Sequence, residues 1–334
     1  DRNKIQYDFA LTSGEKSFMD DEAASLGARM FYFDGGKSIE ENLRMILKSE
    51  GPFEAVHSHV FFYSGLVLRE AKKCGVPVRI AHAHNAHTGE SSSIARKAYE
   101  ATMRCLINTN ATVVLGCSEK ACRYVFGNSS MGDSRTAVLP DGIDCDRFAF
   151  DEETRKKVRS EYGLEDRFVV GHVGHFNPAK NHEKIISVFA EFAKQRADAA
   201  LLLVGDGELE SKVRAKVSEL CLDDKVIFVG AHLDVERMYQ AMDVFLFPSR
   251  YEGFGMAMIE AQASGLACVA SDVVPEDTNA DGRAVYLPLS APDEAWAAAL
   301  LTAPKRSTGS ANKVRQAFGI EATVDKLEKI YLRK

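Results

Sequence analysis

Short runs of β-favouring apolar residues recur along the whole chain, and stretches with helical spacing separate them. The first set reads Ile5–Leu11, Arg29–Phe33, Ala55–His59, Val78–His84, Thr112–Ser118 and Thr136–Pro140. The second reads Phe168–Gly174, Ala199–Gly205, Lys225–Gly230, Asp243–Pro248, Ala267–Ser271 and Ala284–Pro288. Leu201-Leu202-Leu203-Val204 and Val244-Phe245-Leu246-Phe247 are apolar without alternation, the pattern of strands covered on both faces. Between them lie amphipathic segments: over Glu183–Arg196, Ile185, Ile186, Phe189, Phe192 and Ala193 fall at helical spacing with charges opposite. Strand–helix alternation of this kind predicts right-handed βαβ units, parallel sheets and an α/β class.

Twelve candidate strands are too many for one ordinary open sheet. Asp141–Asp166 is polar and charged, carries Gly142 and Gly163, and shows no strand; it reads as the linker between two Rossmann-like domains of comparable size, 1–145 and 146–312. The closing segment, 313–334, reads as one or two helices through Val314, Phe318, Val324, Leu327, Ile330 and Tyr331. Open α/β sheets bind ligands beyond the carboxyl ends of their strands, so two such domains facing each other predict a cleft.

Composition narrows the class. The 334 residues are 46% hydrophobic and 27% charged, a globular balance that excludes disordered, collagen-like and coiled-coil chains. No run approaches the ~18 apolar residues of a spanning helix, and a net charge of −6 argues against non-specific nucleic-acid binding. Seven scattered cysteines without a C-x-x-C pair fit a reducing, cytoplasmic setting better than a disulfide framework or zinc knuckle. Ile94–Ile107 carries an apolar stripe beside Arg96, Lys97 and Arg104. Peripheral contact with an anionic membrane face is one expectation for it; ordinary packing with a solvated basic face is the favoured one.

The most informative stretch is Phe247–Ala261. A strand ends at Pro248, a glycine-bearing loop follows, and an apolar helix begins near Gly255. Amides at that helix N-terminus, next to Gly253 and Gly255, suit an anion or hydroxyls. Glu260 inside the helix is costly as a bare charge. It accepts two hydrogen bonds from vicinal hydroxyls such as those of a ribose, or else pairs with a buried Arg or Lys.

Glu252 followed eight residues later by Glu260, around Gly-Phe-Gly, resembles the E-x7-E signature of retaining family 4 glycosyltransferases. His57-Ser58-His59, His82-Ala83-His84-Asn85, Pro140-Asp141-Gly142-Ile143-Asp144, Val173-Gly174-His175 through Lys180-Asn181-His182, and Val204-Gly205-Asp206-Gly207 follow the same family's motifs, most closely its capsular and exopolysaccharide transferases. The resemblance covers nearly the whole chain. It implies a GT-B fold of two facing Rossmann-like domains, with the donor nucleotide in residues 167–300. The co-substrate would be a nucleoside-diphosphate sugar, UDP-linked by analogy, with no other cofactor and no metal. The acceptor would be a glycan or lipid-linked glycan in bacterial surface polysaccharide synthesis, with the enzyme cytoplasmic or peripheral at the inner membrane face. Glu260 would hold the ribose, Glu252 the transferred sugar, and the Gly253, Phe254, Gly255 and Met256 amides sugar hydroxyls and diphosphate. Gly174 and His175 would lie in the phosphate loop, Lys180 would neutralise the leaving diphosphate, and His84 would sit over the donor sugar. His82 and His84 are expected on opposite sides of their strand, so only one faces a given site; His84, nearer the carboxyl end, is preferred, with His59 a weaker wall residue.

Two departures from the family pattern carry consequences. His175 stands where Arg is usual; a histidine is half neutral near pH ~6.5, which predicts weaker, pH-dependent diphosphate binding. The chain opens at Asp1-Arg2-Asn3 on what corresponds to the family's second strand, so the first βα unit is expected to be missing. Asp144-Cys145-Asp146 forms a D-x-D that suits a hard cation, but it falls in the linker and the metal reading is not favoured. Two rivals remain: a non-catalytic nucleotide- or glycan-binding module, and an NAD-dependent dehydrogenase. The latter lacks its third glycine at Glu210 and at Met258.

Overall fold

Each of the twelve apolar runs forms a strand in the computed structural model, which describes residues 4–17, 19–85 and 93–333; the Asp1-Arg2-Asn3 opening lies outside them. The strands are β1 (Asp8–Leu11), β2 (Arg29–Tyr32), β3 (Ala55–Ser58), β4 (Val78–Ala83), β5 (Val113–Gly116), β6 (Thr136–Val138), β7 (Phe168–Val173), β8 (Ala199–Val204), β9 (Val226–Gly230), β10 (Val244–Phe247), β11 (Ala267–Ser271) and β12 (Val285–Leu287). All pairings between them are parallel. The chain divides into two units, residues 1–139 with 324–334, and residues 140–323.

In the first unit β3-β4-β5-β6 form one sheet and β1-β2 a separate pair. The final helix, Ile320–Tyr331, returns Leu327, Ile330 and Tyr331 to a core of Val78, Ile80, Leu115 and Leu139. The end of the chain is therefore part of this unit's packing instead of a segment standing apart from 313. The helix Ile94–Asn110 buries Met103 and Ile107 while Ile94 stays exposed. It lies so close to Gly65 that a Cβ there would come within 2.7 Å of the Met103 carbonyl.

In the second unit six strands run in the order β12-β11-β10-β7-β8-β9. Every residue of β8, β10 and β11 is buried, which is why their sequences do not alternate. Ile185, Phe189 and Phe192 of the helix His182–Gln195 share one core with Leu201, Leu203 and Trp296. The unit begins at Pro140, ahead of the expected boundary at 145, and the polar segment read as a linker is folded onto it. Asp151 caps the helix Glu152–Glu161. From that helix Arg155 reaches Asp243 at 2.6 Å and Arg159 reaches it at 3.3 Å, while Asp243 also accepts from the Val169 amide at 2.7 Å. Ion pairs hold this segment together with a few widely spaced buried apolar residues, Ile143, Phe148, Val158 and Leu164, too sparse for a strand pattern, and so its hydropathy has a linker's appearance.

Candidate active site

β7 and β10 are neighbours, yet the chain proceeds from them in opposite directions, through β8 and β9 on one side and β11 and β12 on the other. Such a reversal opens a crevice at the carboxyl ends of the two strands. The loops leaving those ends are residues 174–181 and 248–255, and they carry most of the residues singled out above.

The first loop is tied to the turn after β8. The Gly174 amide donates to Val204 O at 2.9 Å and the Leu209 amide to Phe176 O at 3.0 Å. Gly205 has φ +136°, and a Cβ on it would stand 2.2 Å from the Gly174 carbonyl oxygen, so only glycine permits this approach. The loop ends at Asn181, left-handed at φ 55°, whose Nδ2 donates to Pro248 O at 3.1 Å and joins the two loops. His175 projects outward; its Nδ1 lies 3.0 Å from Asp206 Oδ1, and both side chains are more than half exposed.

His182 opens the following helix at 2% exposure, its ring stacked on Phe176 at 4.0 Å and edge-on to His172 at 5.0 Å. Neither ring nitrogen has a hydrogen-bond partner among the described residues. Burial first, then the charge of Lys180, then His175 push the imidazole down to about 4. A histidine depressed from ~6.5 binds its proton sooner in the unfolded chain, so it withdraws stability as pH falls from ~6.5 towards 4. His182→Phe keeps the stack and removes that loss. Relative to the parent, the variant should gain on the order of 3 kcal/mol across this window, read from urea unfolding at pH ~7 and pH ~4. Parallel pH profiles would show that His182 is protonated in place.

The second loop holds the acidic pair. Glu252 Oε1 accepts from Lys180 Nζ at 2.5 Å and from Ser249 Oγ at 2.9 Å. The Lys180 ammonium also lies 4.9 Å from the Phe247 ring centroid, a cation–π contact. Gly255, left-handed at φ +99°, precedes the helix Met256–Ala263, which has no side-chain cap; the first-turn amides take none of their partners from a capping side chain. Within that helix Glu260 Oε2 accepts from the Tyr239 hydroxyl at 2.7 Å. Burial raises the Glu260 carboxyl above its ordinary range, with Tyr239, Arg147 and Lys180 pulling the other way. The partner of Glu260 is thus a fully buried phenol, not the Arg or Lys considered from the sequence.

Lys180, Glu252, Glu260, Gly174, His175 and residues 253–256 all lie in these two loops and the helix that follows them. His84 belongs to the first unit, just beyond β4. Its ring centroid is 4.2 Å from that of His82, so the two share a face. Residues two apart on a strand point the same way, and the expectation of opposite faces is corrected. The D-x-D aspartates cap and pair locally: Asp144 accepts from the Asp146 and Arg147 amides at 3.1 and 3.3 Å, and Asp146 pairs with Arg315. Sequence reasoning missed Tyr239 and Ser249, since a tyrosine in an amphipathic helix and a serine after a strand carry no local mark of a site.

The sequence profile described as "Glycosyl transferases group 1" matches residues 154–314. Over 99% of its length the chain is 33% identical to "Putative glycosyltransferase EpsF" of Bacillus subtilis (strain 168), covering 89% of that protein. It is 23% identical to "Capsular polysaccharide biosynthesis glycosyltransferase CapH" of Staphylococcus aureus over 99% of this chain and 91% of that one. The crystal structure of Anabaena HepE in complex with UDP superposes with a TM-score of 0.79, covering 99% of this chain and all of that one at 16% identity. Sucrose-phosphate synthase from Thermosynechococcus elongatus gives 0.71 over 91% and 80% at 23% identity. A third of the residues shared with one relative from end to end, on a fold common to GT-B enzymes, shows that the chain belongs to the group 1 glycosyl transferases and is a glycosyltransferase.

Proposed function

We propose that the enzyme moves a hexosyl unit from a nucleoside-diphosphate sugar, UDP-linked, to a glycan or lipid-linked glycan in bacterial surface polysaccharide synthesis. Anomeric configuration is retained and no metal is needed at the diphosphate. The observation that carries this reading is the Lys180–Glu252 pair at the junction of β7 and β10, 2.5 Å apart, beside an uncapped helix N-terminus. Cation and amides are the groups that stabilise charge developing on a departing diphosphate. Glu252, released from Lys180 as the diphosphate takes the cation, accepts hydroxyls of the sugar, and Glu260 accepts those of the ribose. The acceptor attacks from the face the leaving group vacates, and the donor phosphate takes its proton. HepE crystallised with UDP and with UDP-glucose supports the choice of base. Among the described residues no helix is long and apolar enough to cross a membrane; the exposed Ile94 end of the helix Ile94–Asn110 is where a peripheral membrane contact would lie.

A thermal-shift panel of UDP-, GDP- and ADP-sugars tests the donor, because a ligand of the native state raises its stability by mass action. The UDP-sugars should give the largest rise. NMR of the product should show the donor's anomeric configuration, and turnover should survive exhaustive chelation. No shift with any nucleotide sugar, an inverted product, or loss of turnover with chelator and recovery on Mn²⁺ would each overturn the corresponding part of the proposal.

A further inference from the structure

β3 and β4 run parallel with His57 opposite Ile80 and Ser58 opposite Ala81. Continuing that register by one residue brings His59 beside His82. Because residues two apart share a face, His57, His59, His82 and His84 all project from one side of the sheet at the carboxyl ends of its strands. Their ring centroids are 4.2 Å apart for His57 and His59, 5.2 Å for His57 and His82, and 5.0 Å for His59 and His84. One ring nitrogen from each of His57, His59 and His82 lies within 4.8 Å of the other two.

Among the four rings His59 Nδ1 lies 2.8 Å from His84 Nε2, and the approach of His57 to His82 has the dimensions of a coordination site. His57 Nε2 stands 3.2 Å from His82 Nδ1. Two imidazole nitrogens bound tetrahedrally to one ion at ~2.0–2.1 Å are separated by about 3.3 Å. On its far side His57 Nδ1 lies 2.5 Å from the Tyr331 hydroxyl. An Nδ1–H donated to that oxygen leaves Nε2 with its lone pair facing His82, which is the outer-shell arrangement of metal-bound histidines. His59 is exposed while His82 is 6% exposed, so solvent reaches the trio at His59. An all-imidazole set suits Zn²⁺, Ni²⁺ or Cu²⁺ and disfavours Mg²⁺ and Ca²⁺.

We infer that His57, His59 and His82 form a binding site for a divalent cation of the zinc class, with Tyr331 orienting His57 and water completing the coordination. The site belongs to the first unit and the Lys180–Glu252 pair to the second, and its test does not depend on transferase activity. Untagged full-length protein, stripped with chelator, is titrated with Co²⁺, which reports coordination by nitrogen through its visible ligand-field bands. One Co²⁺ should bind per chain with intensified, tetrahedral-type bands, and Zn²⁺ should displace it. His57→Gln and His82→Gln should abolish the bands. Exposed His59→Gln should weaken binding at least about tenfold, and Tyr331→Phe about 10- to 100-fold. His232→Gln, at a histidine of the second unit paired with Asp234, should leave it unchanged. If a buried variant fails to fold, His59→Gln and Tyr331→Phe still decide. A Co²⁺ spectrum that stays that of the hydrated ion, or binding unaltered in both of those variants, overturns the site.

Discussion

Glu260→Ala should weaken binding of the nucleoside diphosphate by on the order of 1.5–3 kcal/mol, roughly ten- to a hundredfold, by removing the charge-assisted hydrogen bonds proposed to the ribose. The geometry makes this a test of binding instead of folding. The Tyr239 hydroxyl, which donates to Glu260 at 2.7 Å, also lies 3.1 Å from Ala257 O, so the substitution leaves the buried phenol a second acceptor. Glu260→Gln keeps the shape of the side chain and loses its charge, and should fall between the two. Titration calorimetry with UDP on the three proteins reads the series directly. Equal affinities in parent and Ala variant would remove Glu260 from the nucleotide site.

Lys180→Met should lower turnover by about two to three orders of magnitude, the cost of losing one preorganised group proposed to stabilise a developing negative charge, and should also weaken nucleotide binding. Glu252→Gln should lower turnover with UDP affinity nearly intact, because its proposed partner is the sugar. Each single variant has a structural side effect, since the Glu252 side chain is 9% exposed and shares its Oε1 between Lys180 and Ser249. Removing one member strands the other in a poorly solvated place. The double variant, Lys180→Met with Glu252→Gln, removes that conflict. It should melt closer to the parent than Lys180→Met does, while turnover stays as low as in the single lysine variant. Recovery of turnover along with stability would reduce Lys180 to a structural partner of Glu252 and sink its role at the leaving group.

The strand positions are legible in the sequence because burial on both faces leaves a local trace: Leu201–Val204 and Val244–Phe247 cannot alternate if both faces are covered. The two loops of the site are legible for a similar reason. Glycines at 205 and 255 answer to backbone constraints that only glycine meets, and Glu252 and Glu260 stand at a spacing a helix start can use. The shared face of His82 and His84 is also contained in the two-residue period of a strand, and an expectation of opposite faces runs against that period.

Pairings across the fold leave no such trace. Lys180 meets Glu252 because β10 takes its place beside β7. Tyr239 meets Glu260 because the helices Val235–Ala241 and Met256–Ala263 pack against each other, and the histidines of β3 and β4 converge because those strands are adjacent and in parallel register. The return of Tyr331 to His57 spans 274 residues. Local preference determines which segments become strands and helices, and it acts within a few residues. Strand order is chosen by the burial of whole faces against one another, and each contact that chemistry depends on here is a consequence of that order.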